Sequence, residues 1–211
     1  MSKIAELAHA IEIGKSKLVP GLVQEALAEG NAPIDILNQG MIDAMANVGE
    51  KFKKNEIFVP EMLVAAKAMK KGVAELKPHL SDGNVTKLGK MVMGTVYGDL
   101  HDIGKNLVVM MVESTGYEVI DLGIDVPVEK FMEAANDPEV TVVGVSALLT
   151  TTMPAMQETV AALNSHPRRG EFKVMVGGAP ITQAFADEIG ADVYTEDAAS
   201  SGQAAKALAN A

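Results

Sequence analysis

Three short stretches of this chain carry side chains that could do chemistry. The first is Tyr97-Gly98-Asp99-Leu100-His101-Asp102-Ile103-Gly104-Lys105-Asn106, and its informative core is Asp99-x-His101-x-x-Gly104. An imidazole can reach a metal or a reacting group through one ring nitrogen. The other nitrogen then needs a partner to fix tautomer and orientation, usually a carboxylate. Asp99 stands close enough to supply it. Gly104 leaves room for a bulky group beside the backbone. The plainer alternative is that His101 caps a helix or fills a crevice, with Asp99 an ordinary turn residue. The second stretch, Ser146-Ala147-Leu148-Leu149-Thr150-Thr151-Thr152-Met153-Pro154, has four hydroxyls within seven residues that could donate to a polar ligand. Thr152 before Pro154 also fits a helix N-cap, whereas Ser146 stands too early for that. The third, Val176-Gly177-Gly178-Ala179-Pro180, either lets a ligand pass close to the main chain or makes a tight turn.

Each stretch follows a short apolar run. Lys90–Val96, Val140–Val145 and Lys173–Val176 read as strands, as do Glu118–Leu122 and Asp192–Tyr194. Helical patterns follow at about Ile103–Ser114, near Pro127, at Met153–Leu163, from about Ile181, and at Ser201–Leu208. The strands are rich in β-branched residues and do not alternate inside with outside, as expected when helices cover both faces. This alternation predicts an α/β fold, a five-stranded parallel sheet in a flavodoxin-like (Rossmann-like) order. Ligands of such sheets bind beyond the carboxyl ends of the strands, where all three stretches lie. No Gly-x-Gly-x-x-Gly follows the first strand and no Walker-type Gly-x-x-x-x-Gly-Lys occurs, which disfavours nucleotide-binding versions of the fold.

Ahead of the sheet the grammar is helical. Ile4, Leu7, Ala8 and Ile11 fall three and four apart and Gly14 ends that run. A segment from Lys17 to Glu29 stops at Gly30-Asn31. Pro33 opens a third, with Leu37, Met41, Ala44, Met45, Val48 and Phe52 on one face, and Pro60 a fourth, through Met62, Ala66, Met69, Val73 and Leu76. The sequence thus predicts an N-terminal four-helix bundle over residues 1–77, a linker over 78–88 that is expected to flex, and the α/β domain over 89–211.

Composition narrows the function. The 211 residues are 48% hydrophobic but only 4% aromatic, so the core is aliphatic and Met-rich and base-stacking platforms are scarce. A net charge of −10 argues against nucleic-acid or membrane partners. The absence of cysteine excludes disulfides, thiolate zinc sites, iron–sulfur clusters and thiol nucleophiles. With no signal peptide and no apolar run long enough to span a bilayer, the expected location is cytoplasmic.

Together, Asp99-x-His101-x-x-Gly104, Ser146-x-Leu148 and Gly177-Gly178 resemble the signature of cobalamin-binding domains. Gly49-Glu50-Lys51-Phe52 and Glu56-Ile57-Phe58-Val59-Pro60-Glu61 resemble the helical cap of methyl-carrying corrinoid proteins. The whole chain is similar to the corrinoid subunits of methanol, methylamine, betaine and methoxyaromatic methyltransferase systems, and to the cobalamin module of methionine synthase. The resemblance implies a corrinoid cofactor (cobalamin, carried as methylcobalamin) whose cobalt takes His101 as its lower ligand. It implies Asp99 as partner of the imidazole, with Thr152 continuing the relay where the methionine synthase module has a Ser. Ser146 and Leu148 would line a nucleotide pocket, with Thr150 beside them. Gly177-Gly178 would let the nucleotide tail pass, Gly104 would accommodate corrin side chains, and Asp102 and Ile103 would adjoin the ligand loop. Phe58 and Met62 would cover the upper corrin face.

The implied function is methyl carriage, not catalysis on its own. A substrate-specific methyltransferase loads the cobalt, a second one unloads it to tetrahydrofolate or a thiol, and a reductive activase restores it. Methyl donor, acceptor and oligomeric state are not written in this chain. An adenosylcobalamin mutase subunit usually lacks the helical cap. A cobalamin-sensing regulator would need a basic recognition helix. A cofactor-free signalling domain would need an acidic cluster and a late Lys.

Overall fold

The computed structural model describes residues 2–80 and 88–209. The chain divides into two compact units, Met1–Thr86 with Ser114–Gly116, and Lys87–Glu113 with Tyr117–Ala211. Of the segment 78–88 read as a linker, residues 81–87 lie outside the described residues, and its start continues in a 3-10 turn, Lys77–His79.

In the first unit, α1 (Lys3–Glu12) opens on Ser2, whose Oγ accepts the Ala5 N–H at 3.3 Å. Helix α2 (Val19–Ala28) starts at a proline turn. Helices α3 (Pro33–Leu37) and α4 (Asp43–Lys53) are joined by one wide π turn, Asn38–Ile42, rather than by a break. A β-carbon at Gly40, inside that turn, would stand 2.9 Å from the Leu7 side chain, so the wide turn lets α1 pack closely there. The third predicted helix is therefore present with an irregularity that its apolar pattern does not reveal. Helix α5 (Val59–Leu76) begins where the Phe58 N–H donates to Glu61 Oε2 at 3.1 Å. Leu7, Ile11, Ile36, Met41, Met45, Val48, Met62, Met69 and Leu76 are buried, as the 3.6-residue period requires.

The second unit is one parallel sheet of five strands in the order β2-β1-β3-β4-β5, with β1 Lys90–Val96, β2 Glu118–Val126, β3 Val140–Ser146, β4 Lys173–Gly177 and β5 Val193–Thr195. The connecting helices are α6 (Ile103–Glu113), α7 (Val128–Ala134), α8 (Met153–Asn164), α9 (Gln183–Ile189) and α10 (Ala198–Ala209). One core cluster joins Val92, Val143 and Val174 to Phe131, Met156 and Ile189 of α7, α8 and α9. The other joins Met91, Val142 and Met175 to Val112 and Ala205 of α6 and α10. Both faces are therefore covered, which is why β1, β3 and β4 read as continuous apolar runs.

Strand β2 departs from the sequence reading. It does not stop at Leu122 but runs on to Val126 through two register shifts against β1. Met93 pairs with Asp121 and Val96 with Val126, so β2 uses two more residues than β1 over this stretch. Gly123 (φ +88°) and Asp125 (φ +53°) absorb the extra length.

Candidate functional site

The chain reverses its direction of winding between β1 and β3, and the loops after these two strands face each other across that switch point. The loop after β1 is pinned at several atoms. Thr95 Oγ1, buried on β1, donates to the His101 carbonyl at 3.0 Å. Gly98, at φ +78°, donates its N–H to Asp125 Oδ1 at 2.7 Å, and the Asp125 N–H donates to the Asp99 carbonyl at 3.0 Å.

Asp99 is 0% exposed. Its Oδ2 accepts the Leu148 N–H at 2.7 Å, the Leu149 N–H at 3.3 Å and the Thr152 hydroxyl at 2.8 Å. Its Oδ1 accepts the His101 N–H at 3.1 Å and faces His101 Nδ1 at 3.3 Å. Burial pushes this carboxyl up, but the donors from Leu148, Thr152, His101 and Leu149 outweigh it and hold the pKa down at about 2. The group is therefore a carboxylate and can only accept. In the neutral imidazole Nδ1 then carries the hydrogen between them, which leaves Nε2 with its lone pair free. The imidazole is 54% exposed, and Nε2 has no hydrogen-bond partner among the described residues.

The other predicted residues divide into groups. Thr152 stands at the residue before α8, but its hydroxyl does not cap that helix; it points to Asp99 and to the Leu149 carbonyl at 2.9 Å. The relay position given by the resemblance thus accounts for it better than capping does. Leu148 is exposed as a side chain and enters through its main-chain N–H. Ser146 ends β3 beside Thr95 and Gly177, half-buried, and Thr150 is exposed. Asp102 Oδ2 accepts the Asn106 amide at 3.0 Å in the first turn of α6. Gly104 has nothing within 4 Å of where a β-carbon would stand, so the space beside it is open.

Gly178 has a different reason for being glycine. At φ +136°, a β-carbon there would overlap the Ala147 carbonyl oxygen, while the Ala147 N–H donates to the Gly177 carbonyl at 3.2 Å. The protein's own backbone, not only a ligand, takes up the room. In the helical unit, Phe58 is 64% exposed whereas Met62 is 2% exposed. Met62 is a core residue with no surface to offer a ligand, which corrects its placement beside Phe58 as a covering residue.

Missed from sequence were Thr95, Asp125, the Leu148 and Leu149 N–H groups, and an ion pair in which the Nζ of buried Lys105 lies 2.6 Å from both oxygens of exposed Asp121. Asp121 and Asp125 flanking a glycine at a strand end were the only signal available. Backbone donors give none.

Around His101 the surface is apolar. Tyr97, Leu100, Ile103, Ile124, Leu148 and Leu149 are the exposed large hydrophobic residues of the α/β unit, and all lie at the carboxyl end of the sheet. Among the described residues no group of three or more His, Cys, Asp or Glu could hold a metal ion. A metal reaching Nε2 must therefore bring most of its ligands with it, on a carrier with a broad apolar face. The residues fit a macrocycle-bound metal better than a bare ion.

A family model described as a B12 binding domain matches residues 89–203, and a second B12 binding domain model matches residues 3–77. This chain belongs to the B12-binding family. Its cofactor is accordingly a corrinoid, for which a lone imidazole within an apolar surround is suited. The B12-binding chain is 43% identical to the dimethylamine corrinoid protein of Methanosarcina barkeri over 97% of this chain and 96% of that one. It is 40% identical to trimethylamine corrinoid protein 1 of Methanosarcina mazei, over 92% and 91% of the two chains. Among solved structures it is similar to the methanol:cobalamin methyltransferase complex MtaBC from Methanosarcina barkeri, with a TM-score of 0.86 at 31% identity over 99% of this chain and 80% of that chain. A five-stranded parallel sheet preceded by helices is thus the architecture of B12-binding proteins. No helix among the described residues is long and apolar enough to cross a membrane.

Proposed function

We propose that His101 would hold the corrinoid's cobalt through Nε2 in a methyl carrier that serves two methyltransferases. When bound, the corrinoid supplies the metal center that takes up and releases the methyl group. The remaining work belongs to this chain. His101 presents Nε2, and Asp99 fixes the tautomer through Nδ1. Whenever Nε2 is protonated, the carboxylate beside Nδ1 would stabilise the imidazolium, so that binding of a metal at Nε2 would compete with proton uptake. Thr152 and the Leu148 and Leu149 N–H groups keep Asp99 ionised and stationary. Ser146, Thr150, Gly177 and Gly178 form the crevice for the nucleotide tail, and Asp102, Ile103, Gly104 and Leu148 adjoin the ring. The helical domain, residues 1–77, would be the cap, and Phe58 is one of its exposed apolar side chains, with Ile13, Leu18, Leu63 and Val64.

The chain is a corrinoid subunit of a methyltransferase system and is not an enzyme alone. Relatives named for dimethylamine and trimethylamine favour a methylated amine as donor, reached through a partner methyltransferase. A second methyltransferase would pass the group to tetrahydrofolate or a thiol, and a reductive activase would restore the metal.

One observation carries the reading: ionised Asp99 sits on Nδ1 and leaves Nε2 as an exposed lone pair within an apolar surround. The test is paramagnetic resonance of uniformly 15N-labelled protein loaded with hydroxocobalamin and reduced to cobalt(II). Splitting by a spin-½ nitrogen is expected, since the label is in the protein. A three-line pattern, from the unlabelled base of the cofactor, would rule His101 out.

A further inference from the structure

The bulged tail of β2 lies against the loop that carries Asp99 and His101. Its root is fixed by Lys105, which holds both Asp121 oxygens at 2.6 Å, while Asp121 Oδ1 accepts the Gly123 N–H at 2.9 Å. Its tip is Asp125, at φ +53°, a conformation that costs an L-residue roughly 1 kcal/mol and that Gly would adopt freely. A carboxylate stands there instead, and the two halves of the residue engage the peptide units on either side of the Gly98–Asp99 bond. Oδ1 accepts from Gly98 at 2.7 Å, and the N–H donates to the Asp99 carbonyl at 3.0 Å. Gly98 and Asp99 are the residues that launch Leu100 and His101 from the end of β1.

We infer that Asp125 is a positioning residue for His101, clamping the two-residue segment Gly98-Asp99 at its first N–H and its last carbonyl so that Nε2 is delivered at a fixed height beyond the sheet. This rests on the reading of His101 as the cobalt ligand. The clamp's hydrogen bonds go to the backbone and not to the imidazole. They act on the backbone that carries both members of the Asp99–His101 pair. The register shifts of β2 set which residue stands opposite the end of β1, and they place the Asp125 carboxylate beside Gly98.

Three substitutions separate the parts of the clamp. Asp125→Asn keeps an acceptor oxygen and tolerates positive φ; Asp125→Gly keeps the backbone shape without the acceptor; Asp125→Ala loses both. Each is loaded with hydroxocobalamin as 15N-labelled protein, reduced to cobalt(II), and followed for protein-nitrogen splitting along a pH series. Loss of a charge-assisted hydrogen bond should lower the ratio of ligated to unligated His101 about tenfold in the Gly and Ala variants, raising the midpoint pH by about one unit, with Asn within about twofold of wild type. In the unloaded protein, exchange of the Gly98 amide hydrogen should quicken in the Gly and Ala variants and not in Asn. A Gly variant that titrates like wild type overturns the clamp, as does an Asn variant that falls as far as Gly. If Ala fails to fold, the Asn–Gly pair decides. Absent splitting in the wild type itself overturns the ligand assignment, whereas the Gly98 exchange rates report on the clamp alone.

Discussion

The two ends of one sheet are finished in opposite ways. At the amino end charged side chains are paired with one another or with backbone carbonyls. Lys90 pairs with Asp137 at 3.0 Å and Glu139 at 2.6 Å, and Arg169 reaches Asp192 at 2.8 Å. Arg168 donates to the Ala135 and Asp137 carbonyls, each at 2.6 Å. At the carboxyl end an equally dense network around Asp99 stops one atom short of closure, at His101 Nε2, and the large hydrophobic side chains beside it are left in solvent. The difference separates scaffold from site: hydrogen bonds at one end hold strands together, and at the other they hold a single lone pair in the open.

The largest expected break in this contrast is His101→Ala. The variant should still take up cobalamin, more weakly, and its cobalt(III) absorption spectrum should show base-off character; an unchanged base-on spectrum would remove His101 as ligand. Next is Asp99→Asn. Because the folded pKa of about 2 lies below the ordinary carboxylate value, Asp99 contributes stability that is fully present above about pH 4 and is lost as pH falls toward 2. Replacement by Asn should cost about 2 kcal/mol in urea unfolding at pH 7 and flatten the dependence between pH 4 and 2. An equal slope in both proteins would mean that Asp99 is not the titrating group.

Arg168→Ala tests the other end. It leaves buried carbonyls short of a charged donor and should lower stability by about 1–3 kcal/mol, while the pH titration of His101 ligation stays that of wild type. A shift in that titration would show that the two ends are not independent. The smallest effect is expected from Ile103→Ser. At 78% exposure the side chain adds little to folding, so the melting temperature should hold while cobalamin affinity falls a few-fold by equilibrium titration. Destabilisation with unchanged affinity would assign Ile103 to the fold.

The same contrast explains what could be read in the sequence. The doubly covered strands were legible because burial on both faces imposes continuous apolar runs on β1, β3 and β4. Asp99 and His101 were legible because their chemistry is local, two residues apart on one loop. Thr152 needed the family resemblance, since its own neighbours suggested a cap. The tail of β2 was not legible: Gly123 and Asp125 look like a strand ending, and only the register against β1 shows that pairing continues past them. The π turn at Asn38–Ile42 was hidden for a related reason, because one extra residue in a turn barely disturbs an apolar stripe. Nor does any side chain announce the Leu148 and Leu149 N–H groups that help to set the charge on Asp99.

The fit of Gly178 against Ala147 has a mechanical consequence. Ala147 immediately precedes Leu148, so the strand end that meets the tail crevice and the amide that grips Asp99 are one stiff lever. A methyl group added at position 178 would be felt as a displaced amide beneath the imidazole, a strand away from the insult. On the proposed reading, a change at Gly178 would reach His101 through the Leu148 amide and Asp99.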